Sequence, residues 1–412
     1  MSKLEDMLKY VSEHNDFYKN RIKEYGIENP LDITQWPILT RKELQENRYN
    51  MFSDGYQSKY FNQQLRRQSS SGSSGIPVNV YWDYKDWYAS NMSLWRKRLQ
   101  WYGIKPSDRH VMFTLNAFGI KNDGETVYYI KDPANVLSVN VSLIQNDKSW
   151  DKLIDVIDDF NPKWFYIQPS VLNRLIQAFA RTKKSSPQSL SYIESVGEIL
   201  SSDLRKRAIE FFDVSFANMY GSEEMNGIAY ECPEHHMHIL EDNVCLEIFN
   251  GSDSVPSSRG EAVITNLNNH SMPLIRYSQG DEIAIGEKED VCPYAGSSLV
   301  LKSVLGRTLD SVMIGNVEIN SSCLLEIMSD AINQFNELIT GYNYIYSKST
   351  GKLICKVVLS KKYVRWFPNI EKAVINVFSE KTGIDEKVDF EVKLEQRLGR
   401  VEKKQRILEI IE

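Results

Sequence analysis

Apolar residues in the first part of the chain recur at helical spacing. The pattern predicts a helix over residues 4–25, whose apolar positions are Leu4, Met7, Leu8, Val11, Phe17, Tyr18 and Ile22. Thr40 and Glu43 then stand three residues apart, as the two partners of a capping box do. We therefore expect a further helix to begin directly after Thr40.

Short apolar runs alternate with helical patterns in the following part of the chain. Strands are predicted at residues 111–115, 136–141, 164–167, 193–196 and 214–217. Helices are predicted at residues 85–102, 150–160, 170–181 and 202–211. Alternation of this kind is typical of α/β layers with largely parallel strands.

The second half of the chain has a different pattern. Two apolar runs at residues 244–248 and 261–264 flank a turn rich in Ser, Gly and Pro, which predicts antiparallel strands. From about residue 310 the chain mixes helices with strands and has the size of a separate small domain. The predicted fold class is therefore α/β, with a large multi-layer α/β N-terminal body that includes a β-rich subdomain, and a small α+β C-terminal domain.

Composition and charge narrow the class of protein. The 412 residues contain 49 Lys and Arg against 55 Asp and Glu, a net charge of −6, without a basic block, which argues against a nucleic-acid-binding protein. No apolar run reaches the ~20 residues that a membrane span needs, and the first residues lack the apolar core of a signal peptide. The five cysteines are odd in number and widely spread, which predicts a reduced, cytoplasmic protein without a disulfide framework.

A segment rich in Ser and Gly offers the first candidate chemistry. Residues 69–77 contain five Ser and two Gly. Such a segment suits a loop that holds phosphate through backbone amides and hydroxyls, and it equally suits a flexible linker. It is not a Walker loop, because no Gly-Lys-Ser/Thr follows, and its glycines are too close together for a nucleophile elbow.

Four separated segments form an ordered set of motifs. They read Ser-Ser-Ser-Gly-Ser-Ser-Gly-Ile-Pro at residues 69–77, Met-Tyr-Gly-Ser-Glu-Glu at 219–224, Ile-Arg-Tyr-Ser-Gln-Gly-Asp at 275–281 and Gly-Arg-Thr-Leu-Asp at 306–310. In this order they resemble the phosphate loop, the Tyr-Gly-x-Thr-Glu motif, the Tyr-x-Thr-Gly-Asp motif and the Gly-Arg-x-Asp-Asp hinge of the adenylate-forming superfamily. The chain is most similar to the phenylacetate–CoA ligase-like branch, and the resemblance covers nearly its whole length.

The resemblance implies a two-step reaction. A carboxylic acid, which this branch draws from aromatic acids, reacts with ATP in the presence of Mg²⁺ to give an acyl-adenylate and pyrophosphate. A thiol of coenzyme A, or of the phosphopantetheine arm of an acyl carrier protein, then displaces AMP. It also implies an adenylation domain over residues 1–309 and a mobile C-terminal cap over residues 310–412. We expect a monomer or homodimer, without nucleic-acid or membrane partners.

The resemblance also assigns roles to individual residues. The phosphate loop would be Ser69, Ser70, Ser71, Gly72, Ser73, Ser74 and Gly75. Glu224 would hold Mg²⁺, with the adjacent Glu223 as the alternative, Tyr220 would stack on adenine and Asp281 would bind the ribose hydroxyls. The remaining nucleotide contacts would come from Gly197, Glu198, Asn218, Met219, Gly221, Ser222 and Arg307, and the acyl pocket from Phe118, Gly119 and Gly221.

The resemblance places the catalytic lysine in a Gly-Lys-x-x-Arg motif near the end of the chain, where Glu402 here replaces the Gly. Alignment on Arg406 makes Lys403 the match and Lys404 the competitor. An ammonium there would stabilise negative charge during adenylation. The alternative interpretation is a solvated basic tail.

Cysteines and histidines suggest a further, structural site. Cys232, His238 and Cys292 are ligand types that Zn²⁺ takes, and some members of this branch are thought to carry zinc near these positions. Tyr294 stands where a third cysteine is expected, and His235 or His236 could substitute for it. The alternative is a surface histidine cluster with two buried thiols.

Three functions follow from these patterns. The leading one is an acid–thiol ligase that makes an acyl-CoA thioester. The second is a stand-alone adenylation enzyme that loads a carrier protein. The third is a nucleotide- or acyl-binding protein without turnover, which the departures from the family motifs at Glu223, Leu309 and Glu402 keep open.

Overall fold

The computed structural model describes most of the chain. The described residues are 2–69, 78–114, 120–122, 125–127, 129–132, 135–141, 144, 147–251, 258–286, 292–294, 300–307, 311–314, 317–332, 339–359, 361–384, 390–395 and 408–411. Several predicted residues lie outside this set. They are Ser70, Ser71, Gly72, Ser73, Ser74, Gly75, Phe118, Gly119, Leu309, Glu402, Lys403, Lys404 and Arg406.

The helices include all four that were predicted at residues 85–102, 150–160, 170–181 and 202–211, each with ends within three residues of the prediction. The helices are α1 (Lys3–His14), α2 (Asp16–Tyr25), α3 (Arg41–Glu46), α4 (Tyr56–Phe61), α5 (Tyr84–Tyr102), α6 (Asp147–Phe160), α7 (Pro169–Thr182), α8 (Ser202–Phe212), α9 (Ser321–Ile332) and α10 (Phe367–Thr382). The capping box predicted for Thr40 and Glu43 is present at the start of α3. Its two reciprocal hydrogen bonds satisfy amides that a helix N-terminus leaves without partners.

The prediction of one helix over residues 4–25 is wrong, because Asn15 divides it. Asn15 adopts an extended conformation with φ −135° between α1 and α2, and its side-chain oxygen accepts the amide of Tyr18 as the N-cap of α2. Its amide nitrogen also donates to the carbonyl of Met51 and to the hydroxyl of Ser53. A buried Asn with three such bonds is more stable outside a helix than inside one.

The strands include one in each of the predicted apolar runs, together with others that were not predicted. The strands are β1 (Arg66–Ser69), β2 (Asn79–Trp82), β3 (His110–Thr114), β4 (Ile120–Asn122), β5 (Glu125–Val127), β6 (Tyr129–Asp132), β7 (Val136–Asn140), β8 (Trp164–Ile167), β9 (Tyr192–Val196), β10 (Ser215–Ser222), β11 (Asn226–Glu231), β12 (Met237–Ile239), β13 (Val244–Phe249), β14 (Arg259–Asn266), β15 (Tyr277–Ile285), β16 (Val300–Arg307), β17 (Ser311–Ile314), β18 (Val317–Asn320), β19 (Ile339–Ser347), β20 (Lys352–Leu359), β21 (Phe390–Glu395) and β22 (Leu408–Ile411).

The chain divides into two compact units, each built from two segments. The first unit is Met1–Pro106 with Ala217–Val304, and the second is Ser107–Phe216 with Leu305–Glu412. Helices and multi-stranded sheets occur in both, which confirms the predicted α/β fold class. The predicted boundary at residue 309 stays a prediction. No helix in the described part of the chain is long and apolar enough to cross a membrane.

The first unit contains the predicted antiparallel strands. Its strand order is β13, β14, β15, β16, β12, β11 and β10, and β13 pairs antiparallel with β14, as β14 does with β15. The N-terminal helices pack on this sheet through one apolar cluster that includes Tyr18, Trp36, Trp82 and Tyr277. Each of these four rings is almost completely buried, so the N-terminal segment is held firmly against the strands.

The second unit contains the predicted parallel strands. Strands β9, β8, β3 and β7 pair in parallel in this order, and β6 closes the edge as an antiparallel strand. Helices α6, α7 and α8 bury one apolar stripe each, as their periodicity predicts. A second sheet in the order β21, β20, β19 and β22 packs with α9 and α10 around a separate apolar cluster, whose buried members lie between Val312 and Leu408.

Candidate active site

The hairpin of β10 and β11 carries the motif at residues 219–224. Ser222 pairs with Asn226, so Glu223, Glu224 and Met225 form the turn. Asn226 has the left-handed conformation that ends such a turn, with φ 59°, and the Ser222 hydroxyl accepts the amide of Met225. The turn thus sets the direction of Glu224 at the tip of the hairpin.

Gly221 is required by the close approach of the two strands. The pairing register shifts between Tyr220 and Gly221, which marks a β-bulge. A Cβ atom at Gly221 would lie 2.4 Å from the carbonyl oxygen of Asn226, a distance that no side chain tolerates. The motif glycine therefore allows the bulge that turns Tyr220 toward β15.

Glu224 is a buried carboxylate with two polar neighbours. It is 3% exposed, and its Oε1 lies 3.4 Å from a guanidinium nitrogen of Arg41 and 3.5 Å from the hydroxyl of Tyr277. A carboxylate in such a place needs a cation close by. The geometry favours Glu224 over Glu223 as the metal-binding residue, since the side chain of Glu223 is exposed.

Arg41 is a site residue that the sequence reasoning missed. The peptide of Leu39 pairs with β15, because its amide donates to Arg276 and its carbonyl accepts the amide of Ser278. Arg41 follows two residues later, at the first position of α3. Nothing in the sequence pairs Arg41 with Glu224, a residue 183 positions away.

Tyr220 and Asp281 lie in direct contact. The Tyr220 hydroxyl donates to Asp281 Oδ2 at 2.7 Å, and Gln279 Nε2 donates to both, at 2.8 Å to the hydroxyl oxygen and 2.9 Å to Oδ2. The structure therefore brings the predicted adenine and ribose contacts together, although 61 residues separate them. Gln279 was not predicted as a site residue. The feature of the sequence that pointed to it was its place in the motif at residues 275–281.

The stem of the predicted phosphate loop lies beside the same turn. Ser69 pairs with Asn79 at the end of the β1–β2 hairpin, so this hairpin closes the loop. Gln68 Nε2 lies 3.1 Å from Asn226 Oδ1 and 3.4 Å from Glu223 Oε2. Gln68 therefore connects the stem of the loop to the turn that carries Glu223 and Glu224. Ser69, the described residue of the predicted loop, follows Gln68 directly in the chain.

The other predicted nucleotide contacts have structural partners of their own. The amide of Asn218 donates to Glu231 at 2.6 Å, and Met219 pairs with Tyr230. In the second unit, Gly197 has φ 75°, and Glu198 accepts the amide and the hydroxyl of Ser170 at the start of α7, both at 2.9 Å. That contact caps α7. Arg307 is the last residue of β16.

The cysteine and histidine cluster is assembled in the first unit. The ligand atoms of Cys232, His236, His238 and Cys292 lie within 4.8 Å of one another, and the two sulfur atoms are 3.6 Å apart. That separation is too long for a disulfide, which needs about 2.05 Å. Of the two alternatives for the fourth ligand, the structure supports His236, because His235 turns toward Glu231 instead.

The protonation states in this cluster follow from burial. Burial lowers the pKa of His238 to about 4, with His236 and Lys97 adding to the effect, so the imidazole is neutral as a metal ligand must be. Burial raises the pKa of Cys232 to about 11, and the neighbouring Cys292 adds to it. A bound cation would reverse that second effect, since it deprotonates a coordinating thiol.

Comparison with known proteins gives a distant relative in sequence and several solved structures of similar fold. No family model matches the chain. In sequence it is similar to the phenylacetate-coenzyme A ligase of Thermus thermophilus, at 24% identity over 331 residues, 77% of this chain and 71% of that one. This similarity supports the resemblance to the phenylacetate–CoA ligase-like branch of the adenylate-forming superfamily.

Solved structures share the fold of this chain. A 2-hydroxyisobutyryl-CoA ligase in its postadenylation state, in complex with R3-HIB-AMP, matches 98% of this chain and 87% of its own with a TM-score of 0.78 at 17% identity. An open conformation of a 2-hydroxyisobutyryl-CoA ligase with 2-HIB-AMP and CoA matches 98% of this chain and 89% of its own, with a TM-score of 0.61 at 18% identity.

Proposed function

We propose that this adenylate-forming protein activates a carboxylic acid with ATP and transfers the acyl group to the thiol of coenzyme A. In the first step a carboxylate oxygen of the acid attacks the α-phosphorus of ATP, and pyrophosphate leaves. In the second step the thiol sulfur attacks the acyl carbonyl, the thiol proton is released, and AMP leaves. The observation that carries the proposal is the direct contact between Asp281 on β15 and Tyr220 on the β10–β11 hairpin, whose turn also presents Glu224.

The residues of the first unit suit this chemistry. Transfer at phosphorus depends on positioning and on charge stabilisation more than on covalent participation by the protein. Tyr220 supplies a ring for the adenine, Asp281 supplies a carboxylate for the ribose hydroxyls, and the stem at Ser69 leads into the loop assigned to the phosphates. Arg41 adds a guanidinium, which suits phosphate as well as carboxylate.

We assign Mg²⁺ to Glu224. A carboxylate is the ligand type that Mg²⁺ takes, and Glu224 presents one at the tip of the hairpin, 3.4 Å from the guanidinium of Arg41. When bound together with ATP, Mg²⁺ would neutralise negative charge on the phosphates. Glu224 would orient it, and the Tyr277 hydroxyl would hold the carboxylate in place.

From the resemblance to the adenylate-forming superfamily, we also propose that residues 310–412 form a mobile cap and that Lys403 is its catalytic lysine. The buried apolar residues from Val312 to Leu408 form a cluster of their own, which supports a separate C-terminal domain. Lys403 would stabilise the charge that develops during adenylation, with Lys404 as the competitor.

We further propose a structural zinc ion on Cys232, His236, His238 and Cys292. Zn–S bonds of about 2.3 Å at tetrahedral angles place two sulfur atoms about 3.8 Å apart. The observed 3.6 Å fits this value. His236 Nδ1 is buried without a hydrogen-bond partner in the described part of the chain, and a metal would satisfy it. Such an ion would join the β11–β12 turn to the segment at Cys292.

The experiment must establish which acid is activated and whether coenzyme A is the thiol that accepts the acyl group. We propose an aromatic acid, because the relative in Thermus thermophilus is a phenylacetate ligase, and we test it against short aliphatic acids. Purified protein is incubated with ATP, Mg²⁺ and each acid, and acyl-CoA is measured by mass spectrometry after CoA is added. Acyl-CoA with release of AMP supports the proposal. Acyl-adenylate that CoA does not consume favours transfer to a carrier protein, and neither product supports binding without turnover.

We also propose a cytoplasmic location. All five cysteines are free thiols in the structure, and a reducing compartment keeps thiols in that form. A monomer or homodimer is the expected assembly, and light scattering on the purified protein measures it.

A further inference from the structure

Gln279 joins the two residues assigned to the nucleoside. Both amide N–H groups of its side chain are used, one on the Tyr220 oxygen at 2.8 Å and one on Asp281 Oδ2 at 2.9 Å. The Tyr220 hydroxyl donates to the same Oδ2 at 2.7 Å. The three side chains therefore form a closed ring of hydrogen bonds.

Chemistry fixes the orientation of the Gln279 amide. The residue is 6% exposed, and its Oε1 is buried without a hydrogen-bond partner among the described residues. The flipped amide would turn Oε1 toward the carboxylate of Asp281, so that two acceptors faced each other. Among the described residues, this orientation leaves the oxygen without a partner and keeps both donors on Tyr220 and Asp281.

The backbone presents Gln279 to the hairpin through a second bulge. The register of β14 against β15 shifts by two residues here, so that residues 279–281 oppose Ala262 alone. Gly280, in the middle, has φ 84°, a conformation that glycine adopts without strain. Bulges re-aim side chains next to functional sites, and this one aims Gln279 and Asp281 at Tyr220.

Resting on the proposed adenylation function, we propose that Gln279 is a positioning residue that fixes the Tyr220 ring and the Asp281 carboxylate in one orientation before ATP binds. Gln279 occupies the Thr position of the Tyr-x-Thr-Gly-Asp motif. A threonine hydroxyl has a single donor and cannot serve two acceptors, so the bridge is a property of this chain. Pre-organised partners bind a ligand at a smaller entropic cost.

Two substitutions separate positioning from folding. Gln279→Met keeps the length of the side chain and removes both donors, and it should weaken ATP binding about tenfold, the effect of losing a hydrogen bond to a charged group. Gln279→Glu sets a second carboxylate beside Asp281, and one of the two then binds a proton at a pH above the usual range. The dissociation constant of ATP for Gln279→Glu, divided by that of the wild type, should therefore rise between pH 6 and pH 9.

Gln35 provides a matched control outside the candidate site. Its Nε2 also donates to a carboxylate, Asp32 Oδ2, at 3.3 Å, and both residues precede Trp36 in the N-terminal segment. Gln35→Glu introduces the same change beside the same kind of partner. We expect its ATP dissociation constant to equal that of the wild type at every pH.

Calorimetric titration with ATP, with thermal unfolding of each variant, gives the outcome. Binding weakened in Gln279→Met, together with a pH-dependent ratio in Gln279→Glu, supports the proposal. The proposal is overturned if both variants bind ATP with wild-type affinity. It is also overturned if the loss of ATP affinity parallels the loss in unfolding temperature and does not depend on pH. Binding of ATP without acyl-adenylate formation contradicts the proposed function alone, and a wild-type protein that binds no ATP overturns both.

Discussion

The carboxylate of Glu224 lies 3.4 Å from the guanidinium of Arg41, although 183 residues separate them along the chain. The pair links the N-terminal segment to the tip of the β10–β11 hairpin. Their side chains are 4% and 17% exposed, so solvent screens the attraction only weakly. This contact places a cation beside the residue to which we assign Mg²⁺.

Removal of the Arg41 charge should destabilise the protein and impair adenylation. Arg41→Met leaves the carboxylate of Glu224 buried without this guanidinium, and breaking such a pair costs about 3 kcal/mol or more. Urea unfolding measures the loss. Arg96 forms a pair of similar length, 3.5 Å, with Asp242, but both side chains are more than half exposed. We expect Arg96→Met to cost under about 1 kcal/mol, and equal losses in the two variants would contradict the account.

The Gly221→Ala substitution should disrupt the hairpin. Its Cβ would meet the Asn226 carbonyl at 2.4 Å, and the backbone would have to move. We expect a loss of several-fold or more in acyl-adenylate formation together with a lower unfolding temperature. Gly103→Ala is the control, because its Cβ enters open space and only its φ of 67° is unfavourable, at about 1 kcal/mol. An active, stable Gly221→Ala protein would show that the bulge is not needed.

Local patterns could predict many of the elements, because helices such as α6 and α7 bury one apolar face. The predicted strand 164–167 coincides with β8, and the predicted helix 170–181 differs from α7 by one residue at each end. The break at Asn15 was missed because the apolar periodicity of residues 4–25 continues across Asn15. The residues that bind the Asn15 side chain and favour the break, Met51 and Ser53, come later in the chain.

Contacts between distant residues were beyond the reach of sequence patterns. The motifs indicated Tyr220, Asp281 and Glu224, but no spacing rule relates Arg41 to Glu224 or Gln279 to Tyr220. The contact of Arg41 depends on the pairing of Leu39 with β15. The contact of Gln279 depends on the two bulges, one in β10 and one in β15. Such irregularities in a sheet arise from tertiary packing and leave no periodic signal.

Acid should weaken the N-terminal segment through Glu43. Burial acts to raise the pKa of Glu43, but hydrogen bonds from Thr40 and Arg21 outweigh it and hold the pKa below its usual value of 4.5. The stability that this carboxylate contributes is therefore present above pH 4.5 and is lost as the pH falls through the lower, folded-state pKa. Thermal unfolding of the wild type and Glu43→Gln should differ at pH 7 and converge toward pH 3.

Glu46 provides the control for this acid effect. It lies on the same short helix, and its partner Lys42 is 3.8 Å away with both side chains largely exposed. Glu46→Gln should have the wild-type unfolding temperature throughout this pH range. If Glu43→Gln and the wild type differ by the same amount at pH 3 and pH 7, the pair with Arg21 does not contribute as described.

Substitution of either buried cysteine should release the proposed zinc. Cys232→Ser and Cys292→Ser each remove one of the four ligands, so the zinc content should fall from about one equivalent to near zero, with a lower unfolding temperature. Cys245→Ser is the control, because Cys245 is a thiol of β13 outside the cluster. Mass spectrometry of metals on protein purified without chelators decides the matter, and less than about 0.2 equivalents in the wild type contradicts the assignment.

Isotope exchange between pyrophosphate and ATP tests the central claim most directly, because it reports acyl-adenylate formation without any thiol. With the correct acid from a panel of aryl and short aliphatic acids, the wild type should catalyse exchange. Glu224→Gln and Lys403→Ala should each reduce it by at least about 10²-fold, the effect of losing one pre-organised electrostatic contact. Exchange that needs an added acid and is lost in Glu224→Gln is the predicted result. The account is contradicted if no acid supports exchange, or if both variants retain the wild-type rate.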